Sequence, residues 1–226
     1  MFAVIFEVVP RKERFDDYLA LAKQLKPKLE AIDGFIDNDR FKSRRTDGLL
    51  LSLSTWRDEK AVIRWRTHGE HHGVQEKGRF EVFDDYHLRV GEIVADSAPP
   101  NGLAVEQQRF DETSAGAGTA VTISELLPSA DGQLASADPA GELGLARIGS
   151  EGVVACDTFE SIYTPGKLLL LVTWRDAAAA ERWRPKAPGN GRLRHRRVRI
   201  IRDYGMTDRR EAPQYYPDVG ADRTQR

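Results

Sequence analysis

The sequence predicts an α+β fold: two ferredoxin-like, split-βαβ units fused in tandem and packed sheet to sheet as an α+β barrel. Three observations lead there. The first is an internal repeat. FKSRRTDGLLLSLSTWRDEKAVIRWR, from Phe41, matches FESIYTPGKLLLLVTWRDAAAAERWR, from Phe159, without a gap; about 15 of 26 aligned positions are identical. Phe41, Gly48, Trp56 and Trp65 correspond to Phe159, Gly166, Trp174 and Trp183 at one constant offset. The second is the order of elements within one unit, β-α-β-β-α-β, which is the split-βαβ arrangement. The third follows from that order. Such a sheet carries helices on one face only, so its other apolar face needs a cover, and a second unit in the same chain can supply it.

The elements of the first unit read in order. Residues 2–9, FAVIFEVV, are β-branched and aromatic and form a strand, stopped by Pro10. Residues 13–31 place Phe15, Tyr18, Leu19, Ala22, Leu25 and Leu29 at helical spacing, and Gly34 ends that helix. Strands at 35–45 and 49–56 meet at Thr46-Asp47-Gly48, a hairpin signal. Asp58 is an N-cap for a continuous helix over 59–77. A final strand covers 82–95.

The second unit repeats this scheme in weaker form. Its first helix must come from 127–147, where Pro and Gly raise the cost. Its second is cut short by Pro185, Pro188 and Gly189. After a deletion the match resumes, with HLRVGEI from His87 meeting HRRVRII from His195. The predicted organisation is therefore one unit at 1–96, a linker with a connecting strand near 102–109 at 97–118, a degenerate second unit at 119–206 and a polar tail at 207–226.

Composition narrows the function classes. Hydrophobic residues make up 40% and charged residues 31% of 226, a globular balance. A net charge of −1 gives no general pull toward nucleic acid or an anionic membrane. No apolar run approaches the roughly 20 residues that span a bilayer. The N-terminus is apolar first and charged afterwards, the reverse of a signal peptide. The single cysteine, Cys156, leaves no intrachain disulfide and reads as a buried structural thiol in a reducing, cytoplasmic setting. Dinucleotide, P-loop and serine-hydrolase motifs are absent from the sequence.

The strand end Thr55-Trp56-Arg57-Asp58, the helix bearing Trp65 and the turn THGEHHGVQEKGR, on a split-βαβ chain, resemble the antibiotic biosynthesis monooxygenase family of dimeric α+β-barrel proteins. The resemblance covers nearly all of 1–95 and reaches the second half only through the repeat. It implies a pocket between sheet and helices, walled by Trp65, the His-rich turn and the inward face of the last strand. The family includes cofactor-free, quinone-forming monooxygenases and heme-degrading ones. The heme-degrading branch carries an Asn on its first strand, which residues 2–9 lack. It also carries a ligand His about three turns beyond the helix Trp, where this chain has Gln75. The family's single-domain members dimerise, so a homodimer is an implied partner state.

Four of the five histidines, His68, His71, His72 and His87, lie close in sequence. On a continuous helix Trp65, His68 and His72 share one face and His71 points elsewhere. Cofactor-free oxygenation of a small aromatic or enolic compound by O2 needs a base near neutral pKa and an oxyanion donor. Trp65, His72, His87 and Arg89 meet these demands, with no cofactor. His87 and Arg89, two apart on a strand, face the same side. In the alternative, His68 or His71, with His72 or His87, ligates heme or a metal. A non-catalytic ligand-binding or assembly role is a third reading. The basic run Arg192–Arg202 is either an anion site or a strand face paired with acidic neighbours.

Overall fold

A computed structural model describes residues 1–128, 138–145, 151–189 and 191–213. The N-terminal half runs β1 (Phe2–Pro10), α1 (Phe15–Glu30), β2 (Phe35–Ser43), β3 (Leu50–Trp56), α2 (Glu59–Arg66), α3 (Gly69–Lys77), a π-helical turn (Gly78–Val82) and β4 (Phe83–Asp96). The C-terminal half runs β5 (Ala120–Leu127), α4 (Pro139–Glu142), β6 (Val153–Ser161), β7 (Leu168–Trp174), α5 (Ala177–Arg182) and β8 (Arg192–Gly205). All eight strands close into one antiparallel barrel, β1-β3-β2-β6-β7-β5-β8-β4. The halves meet at a short β2–β6 seam and a long β4–β8 seam. Among the described residues no helix is long and apolar enough to cross a membrane.

Both faces of β1 are apolar because both are covered. Met1, Ala3 and Ile5 point into the barrel with Leu51, Leu53, Val121, Ile123, Leu169 and Leu171. Phe2 lies under the helices with Leu29, Trp56, Ala61 and Val62. The same local devices recur in each half. Asp58 Oδ1 accepts from the Ala61 amide at 2.8 Å, and Asp176 Oδ1 from the Ala179 amide at 2.7 Å, N-caps that each contribute about 1 kcal/mol. Gly34 (φ +90°) and Gly152 (φ +81°) take left-handed turns where a Cβ would sit 2.7 Å from Ala61 Cβ and 2.5 Å from Ala179 Cβ. Only glycine fits such a turn at that distance.

Inside the barrel the halves are cross-linked by matching ion pairs. Arg89 pairs with Glu7 and donates to Thr173 Oγ1 at 2.7 Å. Arg196 pairs with Glu125 at 2.6 Å and donates to Thr55 Oγ1 at 3.0 Å. Each arginine thus joins a carboxylate of its own half to the threonine before the other half's tryptophan.

Several expectations are corrected. Strand register pairs Ile5 with Arg89 and Ile123 with Arg196. Arg89 and Arg196 are therefore equivalent, and His195 corresponds to Leu88, not to His87. A one-residue slip exchanges the faces of a strand. The segment 102–109 forms no strand. Leu103 and Val105 pack on the barrel core, and Glu92 accepts from the Gln108 amide. The helix expected over 59–77 is broken. Thr67 Oγ1 donates to the Ile63 carbonyl at 2.9 Å, and His68 is extended (φ −62°, ψ 124°) before α3 begins at Gly69. Of the helix expected over 127–147, only the single turn α4 falls among the described residues with helical structure, and residues 129–137 lie outside them. So do 214–226 of the predicted tail, whereas Glu211 accepts from Thr113 Oγ1 and the Asp203 amide. Cys156 is half-buried. In the basic run, Arg194 pairs with Asp96, Arg196 with Glu125, Arg197 with Glu181 and Arg199 with Glu92, the structural one of the two readings.

Candidate active site

A cavity of about 200 Å³ lies between the N-terminal half of the barrel and α1, α2 and α3. Its walls are largely apolar: Val4 and Phe6 from β1, Leu21, Leu25 and Leu29 from α1, Val62 from α2, Leu88 and Val90 from β4. Polar groups are few and grouped. Asn38 and Arg40 on β2 and Ser52 and Ser54 on β3 form a floor. Their even numbering puts them opposite the barrel interior. Trp65, His71, Arg79, Tyr86 and Arg209 also line the cavity.

His71 is the histidine that lines the cavity among the described residues. Its ring lies flat on the Trp65 indole, centroids 4.1 Å apart and 15° from parallel. Its Nδ1 is 2.9 Å from the Trp65 carbonyl oxygen. A carbonyl only accepts, so the proton of the neutral ring sits on Nδ1 and Nε2 keeps its lone pair. Burial, ahead of the neighbouring His68 and His72, pushes its pKa down to about 4, against the pull of the carbonyl. The imidazole is neutral at physiological pH.

The interrupted helix explains this. The break at Thr67–His68 shifts the phase of α3, so His71 and not His72 meets Trp65. His72 is exposed and does not line the cavity. His68 occupies the N-cap of α3, its ring centroid 5.9 Å from that of Trp65 and outside the cavity lining. His87 and Arg89 do share a face, but it is the barrel-interior side. His87 Nε2 is 2.6 Å from Asp203 Oδ1, and Arg89 is held by Glu7 and Thr173. Of the six predicted residues, Trp65 and His71 come together at the cavity, while His68, His72, His87 and Arg89 do not join them.

Tyr86 was not singled out by the sequence, yet it is central. Its hydroxyl oxygen accepts from Arg209 Nη1 at 2.6 Å and from Arg79 Nη1 at 3.2 Å. With its lone pairs so engaged, its own O–H is left to donate elsewhere. Tyr204, also at the cavity, has its pKa pushed up to about 12 by burial and stays a neutral phenol. Arg40 is 8% exposed. Its Nη1 donates to Asn38 Oδ1 and to Tyr163 Oη, each at 3.3 Å. Tyr163 comes from the β6–β7 hairpin of the other half.

Of the four histidines in the heme or metal alternative, His71 lines the cavity, and its Nδ1 faces the Trp65 carbonyl. Among the described residues no three His, Cys, Asp or Glu side chains are grouped to hold a metal ion.

Comparison with known proteins adds four likenesses. The family model for antibiotic biosynthesis monooxygenase matches residues 1–77. The jasmonate monooxygenase ABM of Pyricularia oryzae is 42% identical over 221 residues, covering 96% of this chain and 99% of that protein. An uncharacterised protein of Bacillus subtilis, YqjZ, is 30% identical over 92 residues, covering 41% of this chain and 78% of its own. Among solved structures, Rv0793 from Mycobacterium tuberculosis is 19% identical with a TM-score of 0.36, covering 46% of this chain and 98% of that one.

Proposed function

This chain belongs to the antibiotic biosynthesis monooxygenase family, and we propose that it oxidises a small, largely apolar, enolisable or phenolic compound with O2 in the N-terminal cavity. The observation that carries the site is His71 stacked on Trp65 at that cavity, its Nε2 lone pair free by tautomer. The relative named for jasmonate brings a cyclopentanone, an apolar and enolisable ketone, into the substrate class considered.

The chemistry assigned to the chain's residues is proton handling and charge stabilisation. His71 Nε2 accepts the proton as the substrate becomes an enolate or phenolate. With its pKa near 4 it is a weak base, so the oxyanion must be stabilised as it forms. Tyr86 O–H supplies that hydrogen bond, polarised by the two guanidinium groups donating to its oxygen. The electron-rich carbon passes an electron to O2, the pair recombines as a hydroperoxide, and loss of water leaves a carbonyl. In balance, CH2 plus O2 gives C=O plus H2O, the substrate supplying all the electrons and no cofactor being required. The apolar wall excludes bulk water, which sharpens each of these interactions. The second half is read as a degenerate copy that closes the barrel, so one chain suffices without a partner, although a homodimer is compatible with the fold.

The test is oxygen uptake by metal-stripped protein with jasmonic acid, anthrones and substituted phenols, with ¹⁸O2 incorporation read by mass spectrometry. His71→Phe and Tyr86→Phe are each expected to lower kcat by about 10²–10³-fold, while His72→Ala leaves it within about twofold. Full activity in both His71→Phe and Tyr86→Phe would reject the assignment of roles. No uptake with any of the three classes would reject the cofactor-free reading.

A further inference from the structure

Several buried or half-buried arginines of this protein are paired with acids: Arg89 with Glu7, Arg196 with Glu125, Arg194 with Asp96 and Arg199 with Glu92. Arg40 differs. It is 8% exposed, and among the described residues no carboxylate pairs with it. Its partners are the neutral oxygens of Asn38 and Tyr163 at 3.3 Å and the hydroxyl of Tyr18. Burial, ahead of any other influence, raises the Tyr18 pKa, so that phenol is no hidden anion. Arg40 Nε is buried and has no hydrogen-bond partner. A buried guanidinium without a counter-ion is costly, and this one lines the cavity.

We propose that Arg40 is the docking point for a carboxylate carried by the substrate, and that it sets both the substrate class and its orientation. The ligand is an apolar acid. Its carboxylate accepts from the guanidinium N–H groups, beside the Tyr163 hydroxyl of the second half. Its apolar body lies along Leu21, Leu25 and Val62 toward Trp65 and His71. The same position in the second half is Thr158, so the anion site belongs to the N-terminal half alone. The inference rests on the cavity being the substrate site, and goes beyond the reaction assigned there.

The experiment is a binding titration, followed by quenching of Trp65 fluorescence or by calorimetry. The probes are jasmonic acid, decanoic acid and 1-naphthoic acid, each against its methyl ester. At least one acid is expected to bind the wild-type protein about 10–100-fold more tightly than its ester. Arg40→Gln is expected to abolish that preference with little change in ester affinity, and Arg40→Lys to fall between. If no acid of the panel outbinds its ester, or if Arg40→Gln keeps the preference, the proposal is wrong. The acid–ester comparison in the wild-type protein does not depend on any variant folding. Oxygen uptake is read separately. An acid preference without turnover would sink the monooxygenase reading and leave Arg40 standing, and turnover without an acid preference would do the reverse.

Discussion

The two halves of the barrel share a scaffold and differ in what lies between sheet and helices. Ser52 and Ser54 of the N-terminal half correspond to Leu170 and Val172 of the C-terminal half, Asn38 to Cys156 and Arg40 to Thr158. In the first half these polar side chains floor a cavity roofed by a 16-residue α1. In the second, Leu170 and Val172 join Leu143, Trp174, Ala179 and Trp183 in one buried cluster. Trp183 shows the difference most directly: it is 1% exposed and packs on Trp174 at 5.7 Å, whereas its counterpart Trp65 is only partly buried and faces open space with His71 on it. The lesson is that the barrel interior, where the two halves meet as equals, is conserved in its design. The outer layers differ, one enclosing a cavity and one filled by packing.

The interior ion pairs test the shared part of that comparison, with the largest expected effect. Arg196 and Glu125 have side chains 1% and 7% exposed, Arg89 and Glu7 3% and 17%. Removing one partner of a buried pair costs about 3–5 kcal/mol when the other charge is left alone. After Arg196→Met, Glu125 keeps Lys167 Nζ at 2.7 Å, and after Arg89→Met, Glu7 can be hydrated, so each variant should lower the unfolding free energy in urea denaturation by an amount toward the lower end of that range. A change under about 1 kcal/mol in both would show that the pairs do not hold the halves together.

The tryptophans test the part that differs. Trp183→Ala removes a ring from a filled cluster and should cost about 3–5 kcal/mol. Trp65→Ala enlarges a cavity that already exists, and should cost roughly 1–2 kcal/mol while abolishing ligand binding by removing the support of His71. Equal losses of stability would erase the distinction between packing and site.

A titration sharpens the contrast further. His71 and His195 both have pKa values pushed down to about 4, chiefly by burial, one at the cavity and one against Trp183 at 5.3 Å. The unfolded chain binds protons on both below about pH 6.5, so between pH 6.5 and 4 unfolding takes up protons. Stability is therefore full above pH 6.5 and falls as pH drops toward 4. His71→Phe should remove about one proton from that uptake. Ligand in the cavity should shift the NMR titration of His71 and leave His195 unmoved. If both histidines titrate near 6.5 in the folded protein, the burial argument fails for both.

These contrasts also mark what could be read from the chain before its fold was known. The repeat, the Thr46-Asp47-Gly48 hairpin, the Asp58 cap and the paired tryptophans were legible because each is local or repeated in register. The phase of α3 was not. It turns on Thr67 donating to a carbonyl and on an extended His68, and a break of that kind swaps His71 for His72. The pairing of His195 with Leu88 was hidden by a deletion, across which a one-residue slip preserves similarity and inverts the face. Asn38 and Arg40 did not stand out, since polar alternation along a strand says nothing of a roof above it. A signal was present even so: where the repeat sets Ser, Ser and Arg in one half against Leu, Val and Thr in the other, the polar member marks the cavity.

That signal can be reversed by transplanting the packing of one half into the other. Ser52→Leu and Ser54→Val bring the second half's side chains into the N-terminal cavity, but Ser54 Oγ accepts from Trp56 Nε1 at 2.9 Å, so Ser54→Val alone orphans a buried N–H. The second half solves the same problem differently, with Trp174 Nε1 donating to Thr122 Oγ1 at 2.9 Å, and the position equivalent to Thr122 is Val4. The triple variant Val4→Thr, Ser52→Leu, Ser54→Val therefore carries the whole arrangement across. It should lie within about 1 kcal/mol of the parent, and the double variant lacking Val4→Thr about 1–2 kcal/mol below it, the cost of the unmade hydrogen bond. Both should bind the acidic probes at least about tenfold more weakly, because the added methyl groups occupy the floor beside Arg40. A triple variant that folds and still binds would show that the cavity, and with it the division of labour between the halves, is not set by the floor of β2 and β3.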